Sequence, residues 1–157
     1  MDIAVIDFNQ VARLCREHEL YSGLIYIYNA GCDDFVAPAE ELLKAITEHG
    51  STPKVNLLCT RLLRYVHDCL TRNGECKRVA VYDYSTSMNR LRTYLFTQPE
   101  GGDDPPVLRL LQLNTAGTLA VLAPIFDGRC CKLEDNYAEE VQRYREHAKM
   151  DAMDQGL

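Results

Sequence analysis

Two adjacent cysteines come nearest to a reactive site in this chain. Cys130 and Cys131 lie between Arg129 and Lys132, and neighbouring positive charges lower the pKa of a thiol and favour the nucleophilic thiolate. No histidine lies close to them in the sequence to act as a base. One hypothesis is therefore a small cytosolic thiol-dependent enzyme or regulator that uses Cys130 or Cys131.

The other histidine and cysteine residues give weaker signals. His67, Cys69 and Cys76 are spaced unlike the ligand pairs that complete a tetrahedral zinc site. A nucleophile assembled from Cys69 and His67 would lack an orienting motif. Cys15 and Cys59, like Cys69, lie on or beside apolar helical faces, where a cysteine packs as a small hydrophobic residue. We predict that these three cysteines belong to the core.

Paired carboxylates do not form a recognisable site either. Asp33 and Asp34 lie in a predicted turn, as do Asp103 and Asp104, and acidic residues in turns mostly cap helices or face water. The sequence contains no glycine-rich phosphate loop, dinucleotide fingerprint, metalloprotease motif or hydrolase motif. We therefore predict no catalytic, cofactor-binding or metal-binding residue, no enzyme activity and no small-molecule substrate.

Three tyrosines on the second predicted helix leave two interpretations open. Tyrosine is enriched at the energetic centres of protein interfaces, but it also packs between helices with its hydroxyl at the rim. Tyr21, Tyr26 and Tyr28 could therefore form a partner-binding aromatic face or pack between helices. Of these two interpretations we favour packing.

The composition is that of a soluble globular domain. The 157 residues are 46% hydrophobic and 25% charged, which argues against disorder and membrane insertion. No apolar run approaches the roughly 18 residues that span a bilayer, and the start lacks the basic region of a signal peptide. A net charge of −6 argues against binding to nucleic acid or bare anionic lipid. We expect a cytoplasmic protein whose seven cysteines are reduced.

Apolar residues recur at helical spacing through the first half of the chain. The first helix follows Asp7, which is placed to act as its N-cap, and the second is expected to end at the glycine-containing segment 29–31. Pro38 lies in the first turn of the third helix. The longest apolar stripe predicts a fourth helix over 55–70, and its members are Val55, Leu58, Cys59, Leu62, Leu63, Val66 and Leu70.

Breaker residues divide the second half of the chain. Glycine and proline make 98–106 an exposed loop. Helical spacing predicts one helix before this loop, over 88–95, and two after it, over 108–113 and 115–126. Pro124 is expected to kink or end the last of these helices.

The weaker segments complete the predicted fold. Segment 79–82 fits either a short strand or a helix, a narrow apolar stripe predicts a final charged helix over 137–148, and residues 151–157 are expected to fray. The sequence therefore predicts a single all-α domain. Its expected architecture is an α-solenoid-like stack of about seven or eight antiparallel helices joined by short loops.

Three blocks near the start of the chain resemble a known family. They read LCREHELY at 14–21, LIYIYN at 24–29 and FVAPAEELL at 35–43. Through these blocks, over about residues 7–128, the chain resembles the central helical region of the vacuolar protein sorting-associated protein 8 family, a subunit of the CORVET endosomal tethering complex. Further blocks in the same order lie at 62–66, 69–71, 94–96, 107–111 and 114–127.

The resemblance implies a scaffold segment of a longer protein that acts in membrane tethering, vesicle-mediated transport and endosome fusion. It implies other tethering-complex subunits as partners and, through the full-length protein, a Rab-type GTPase, with peripheral association with endosomal membranes. It implies no binding residue, because the matching blocks are packing motifs. A helical segment of another vesicle-coat or tethering protein is a further hypothesis, since such proteins share the solenoid plan.

Overall fold

The computed structural model describes residues 7–72 and 83–126. Within these two ranges the chain forms seven α-helices and no strand, which confirms the all-α prediction. The segments predicted at 79–82, 137–148 and 151–157 lie outside the described residues. The helices are α1 (Phe8–Glu17), α2 (Tyr21–Cys32), α3 (Ala37–His49), α4 (Pro53–Thr71), α5 (Tyr84–Phe96), α6 (Pro106–Leu113) and α7 (Thr115–Phe126).

The first two helices form a hairpin whose ends are defined by local hydrogen bonds. Asp7 caps α1 as predicted, since its carboxylate accepts a bond of 3.0 Å from the backbone N–H of Asn9. Glu19, in the left-handed conformation at φ 53°, reverses the chain, and the N–H of Leu20 donates to the carbonyl of Cys15 at 2.8 Å. This bond is that of a Schellman turn with glutamate in the place usually taken by glycine.

Residues on facing sides of α1 and α2 pack closely. The rings of Phe8 and Tyr28 meet edge to face with centroids 5.2 Å apart, and Cys15 and Leu24 lie together in the small core between the two helices. A Cβ atom at Gly23 would lie 3.2 Å from the sulfur of Cys15, so the missing side chain lets the helices approach. Contacts of the start of α1 with the end of α2 show that the two helices are antiparallel.

The end of α2 differs from the prediction. The helix does not stop at 29–31 but continues to Cys32, and the left-handed residue is Asp33, at φ 50°. Asp34 then caps α3, because its Oδ1 accepts bonds of 2.9 Å from the N–H groups of both Val36 and Ala37. The turn thus forms at the aspartate that can satisfy the next helix, while the glycine at 31 remains helical.

Helix α4 carries the largest buried face. Its predicted stripe is confirmed, as is the predicted burial of Cys69 beside the stripe, and the structure adds Tyr65 to the buried residues. Helix α3 packs along α4, and α6 also contacts it. Because α1 to α6 pack against one another through these contacts, most of the stabilisation comes from packing.

One buried polar group joins three parts of this core. The hydroxyl of Tyr65, on α4, lies 3.1 Å from Oδ1 of Asn29, on α2, and 2.9 Å from the backbone carbonyl of Phe35, before α3. Asn29 and Phe35 are each 1% exposed. The hydroxyl carries a single proton, so at any moment it is donated to one of these two acceptors, which lie where water cannot reach.

The second half of the described chain begins with α5, which packs against α6. The segment between them ends at Pro105, one residue before the predicted limit, because buried Pro106 already starts α6. Asn114 caps α7 by accepting a bond of 2.9 Å from the N–H of Gly117. Pro124 is expected to kink or end α7, and the second alternative is wrong, since the helix continues to Phe126.

Internal contacts group residues 1–122 into one compact unit and residues 123–157 into a second, of which 123–126 are described. All further packing considered below belongs to the first unit.

Truncation of Leu58 should test the α4 core. Leu58→Ala removes a side chain that is 5% exposed and leaves a cavity, so we expect the free energy of unfolding to fall by about 2–5 kcal/mol. The neighbouring Leu57 is 73% exposed, and Leu57→Ala should change stability by less than about 0.5 kcal/mol. Urea denaturation measures both. Equal effects of the two substitutions would contradict the assigned face of α4.

Removal of one hydroxyl should test the buried join. Tyr65→Phe leaves the carbonyl of Phe35 or the amide of Asn29 without its bond, so we expect a loss of about 1–3 kcal/mol. Tyr26→Phe is the matched control, because Tyr26 is 52% exposed and should show no measurable change. Thermal unfolding followed by circular dichroism compares the pair, and an unchanged melting temperature for Tyr65→Phe would show that the join contributes nothing.

Candidate functional site

The cysteines predicted to pack in the core do so. Cys15, Cys59 and Cys69 are all buried, and burial raises the pKa of the Cys59 thiol. Cys32 is exposed, but partial burial and the carboxylates of the adjoining turn raise its pKa as well. A raised pKa lowers the thiolate fraction, so neither Cys32 nor Cys59 has an activated thiol. Cys76, Cys130 and Cys131 lie outside the described residues.

The structure does not assemble a nucleophile from His67 and Cys69. Cys69 is 0% exposed, and Nδ1 of His67 lies 3.6 Å from the carboxylate of its neighbour Asp68. Among the described residues, no group of three or more histidine, cysteine, aspartate or glutamate side chains is placed to hold a metal ion. Within the same ranges no helix has the length and apolarity needed to cross a membrane.

The three tyrosines of α2 divide between the two interpretations. Tyr21 and Tyr28 pack against the α1 and α2 core, and burial is the main cause that raises the pKa of each. Tyr26 is 52% exposed. Helix packing therefore explains two of the three, and a continuous aromatic face is absent from α2.

Charged side chains connect the first three helices at their edges. Arg16 on α1 donates from Nε to the carboxylate of Glu41 on α3 at 2.8 Å and from Nη2 to the hydroxyl of Tyr28 on α2 at 2.8 Å. The bond to Glu41 is the main cause that raises the pKa of Arg16. These contacts span three helices, so they fix how the helices are aligned.

A second polar contact connects the turn between α1 and α2 with the turn between α3 and α4. The carboxylate of Glu19, in the α1 to α2 turn, pairs with the ammonium of Lys54 and lies 3.3 Å from Nε2 of His49. The hydrogen bond with Lys54 is the main cause that lowers the pKa of Glu19. Because these groups are partly exposed, solvent screens the pair and its effect on stability is small.

The structure has a cleft of about 740 Å³ beside α5, lined by residues in the described ranges. We call it the α5 cleft. One wall is the face of α5 that carries residues 86, 89, 90, 93 and 94, spaced as one side of a helix, together with its C-cap Thr97. A second wall is the start of α3, with Val36 and Glu40, and the lining also includes Pro99, Glu100 and the buried Pro106.

Tyr94 and Glu40 are the polar groups that stand out in this cleft. Burial, with a contribution from the Glu40 carboxylate, raises the pKa of Tyr94 to about 12. Partial burial and the carboxylates of Asp34 and Glu41 raise the pKa of Glu40. Neither side chain has a hydrogen bond or ion pair with any residue in the described ranges, so both can accept bonds from a ligand.

A smaller cavity of about 280 Å³ adjoins the α5 cleft and shares Val36 and Arg90 with it. Its other lining includes Cys32 and the two aspartates of the α2 to α3 turn, Asp33 and Asp34. The carboxylate of Asp34 therefore has two effects, because it caps α3 and also contributes negative charge beside the cleft.

The sequence analysis did not identify the α5 cleft. A signal for one wall was present, because threonines recur at 86, 93 and 97 on the side of α5 away from its buried residues Met88, Leu91 and Leu95. The second wall comes from α3, about fifty residues earlier in the chain. Helical periodicity carries no information about such a distant neighbour.

Comparisons with known proteins agree with the fold. A family model described as the Vps8 central TPR matches residues 1–97. The chain is 35% identical over 75 residues to the vacuolar protein sorting-associated protein 8 homologs of Mus musculus and of Homo sapiens, an alignment that covers 45% of this chain and 5% of each relative. It is 29% identical over 136 residues to the homolog of Drosophila melanogaster, covering 82% of this chain and 11% of that relative.

The chain therefore spans about a tenth or less of the length of these relatives. No solved structure matches it. Since the family model covers more than half of the chain, from before α1 to the end of α5, the protein belongs to the Vps8 family and carries part of its central helical region.

Proposed function

We propose that this chain is a scaffold segment of a CORVET-like endosomal tethering subunit and acts in vesicle-mediated transport and endosome fusion. Membership of the Vps8 family already gives a helical scaffold of a vacuolar sorting protein. The observation that carries the finer proposal is that the family match includes α1 to α4, in which each helix packs against the next one along the chain. A rigid stack of this kind holds binding surfaces at fixed separations.

The proposed partners are proteins. They are other tethering-complex subunits and, through the full-length protein, a Rab-type GTPase, with the protein cytoplasmic and held peripherally at endosomal membranes. A net charge of −6 supports this choice, because nucleic acid and anionic lipid both repel an acidic surface. We propose that the segment has no catalytic role of its own and belongs to one solenoid-type domain of a longer protein.

Affinity purification tests the tethering role. The tagged chain, expressed in cells of its source species, should recover endosomal tethering subunits identified by mass spectrometry. Leu58→Asp should lose them, because a carboxylate buried in the α4 core unfolds the stack. Asn56→Asp is the matched control on the exposed side of α4 and should recover them fully. Failure of the wild-type chain to recover any tethering subunit would contradict the proposal.

Thiol reactivity tests the absence of catalysis. A scaffold should have cysteines that alkylate with iodoacetamide no faster than cysteine in solution at neutral pH, and the buried Cys15, Cys59 and Cys69 should react only after unfolding. Mass spectrometry of timed reactions gives a rate for each of the seven residues. A much faster reaction at Cys130 or Cys131 would instead favour the thiol-dependent hypothesis.

A further inference from the structure

The α5 cleft has the size and the surface of a binding groove for a few side chains. Its volume of about 740 Å³ falls within the roughly 300–1,000 Å³ typical of ligand sites. Val36, Pro99 and Pro106 supply apolar surface, and two of these residues are prolines, whose rings cannot rotate away. An apolar side chain of a ligand could therefore be buried here without much loss of entropy in the walls.

The charges around the cleft have one predominant sign. Glu40 and Glu100 line it, Asp33 and Asp34 line the adjoining cavity, and Arg90, shared by the two, is the one cationic side chain in either lining. Within the part of the chain that is described, neither Glu40 nor Glu100 forms an ion pair. Arg109 also acts on Tyr94, since its charge opposes the rise in the pKa of that phenol. Four carboxylates beside two guanidinium groups leave an excess of negative charge that favours a positively charged ligand.

Hydrogen-bonding capacity points the same way. Glu40 and Tyr94 both line the cleft, and the carboxylate can only accept bonds while ionised. The phenol of Tyr94 is neutral at physiological pH, as tyrosine ordinarily is, so its oxygen can accept a bond as well as donate one. A ligand that donates several N–H bonds, as lysine and arginine side chains do, would complement this pair.

We propose that the α5 cleft binds a short segment of a partner protein in which a lysine or arginine adjoins an aliphatic or aromatic side chain. The apolar side chain lies against Pro99 and Pro106, and the cationic group meets Glu40 and Glu100. This inference rests on the proposed scaffold role in one respect, namely that the ligand is a protein. It goes beyond that role because it assigns a surface and the chemistry that the surface recognises.

Selection from a library of random linear peptides displayed on phage tests the proposal with the purified full chain as target. Enriched sequences should place a lysine or arginine beside a leucine, isoleucine or phenylalanine. Affinity of the synthetic enriched peptides, measured by fluorescence anisotropy, should fall as salt concentration rises, because exposed charges are screened.

Variants locate the site. Glu40→Gln removes one charge-assisted bond and should weaken peptide binding by roughly five- to tenfold, whereas Glu48→Gln, on the same helix but outside the cleft lining, should bind as the wild type does. Thr93→Arg places a bulky cation in the α5 wall and should abolish binding. Thr60→Arg is its control on the exposed side of α4, and circular dichroism verifies that all four variants fold.

Three results would overturn the proposal. They are enrichment of no sequence, enrichment of sequences without a basic residue, and binding that Thr93→Arg leaves unchanged. A fourth contradicting result could come from analytical sedimentation of the free chain. If the chain is a dimer and Thr93→Arg makes it a monomer, the occupant of the cleft is a second copy of the chain and not a partner peptide. Peptide binding without recovery of tethering subunits would contradict the tethering role alone, and the converse result would contradict only the cleft assignment.

Discussion

The nine buried side chains of α4 must be covered, and this requirement sets the positions of the helices around it. Helix α3 covers one side of α4, and α6 contacts it as well. The hydroxyl of Tyr65 then fixes α2 relative to α4, because it lies within hydrogen-bond distance of both Asn29 and the carbonyl of Phe35 and can donate its proton to either of these buried acceptors. Apolar burial brings the helices together without direction, and the polar join restricts which alignment is acceptable.

Charged contacts at the edges of the stack align the helices with one another more than they stabilise the fold. Arg16 reaches Tyr28 and Glu41 on two other helices, and Glu19 pairs with Lys54 across two turns. Exposed pairs contribute little free energy because water screens them. Their value lies in geometry, since helices in a solenoid can slide along their apolar stripes unless groups at the ends oppose it.

The same packing explains why the α5 cleft exists. Met88, Leu91 and Leu95 face the core, so the threonine-bearing side of α5 must face outward. The start of α3 and the segment before α6 lie beside that outer side without filling it, which leaves a groove with an acidic surround. A scaffold of the Vps8 family thus presents a shaped surface as a direct consequence of how its core is covered.

The sequence by itself determined the helices of the described ranges, the cap at Asp7, the stripe of α4 and the burial of its cysteines, because these features depend on residues within a few turns of one another. Family-specific blocks also carried the Vps8 resemblance. Only the tertiary structure decided that α2 extends to Cys32, that Asn29 is buried beneath Tyr65, and that Glu40 and Tyr94 share a cleft. The end of α2 depends on the neighbouring Asp33 and Asp34, and periodicity does not choose between such adjacent turn residues. The other two features depend on groups far apart in the chain, and helical periodicity specifies which face is buried but not which distant residue covers it.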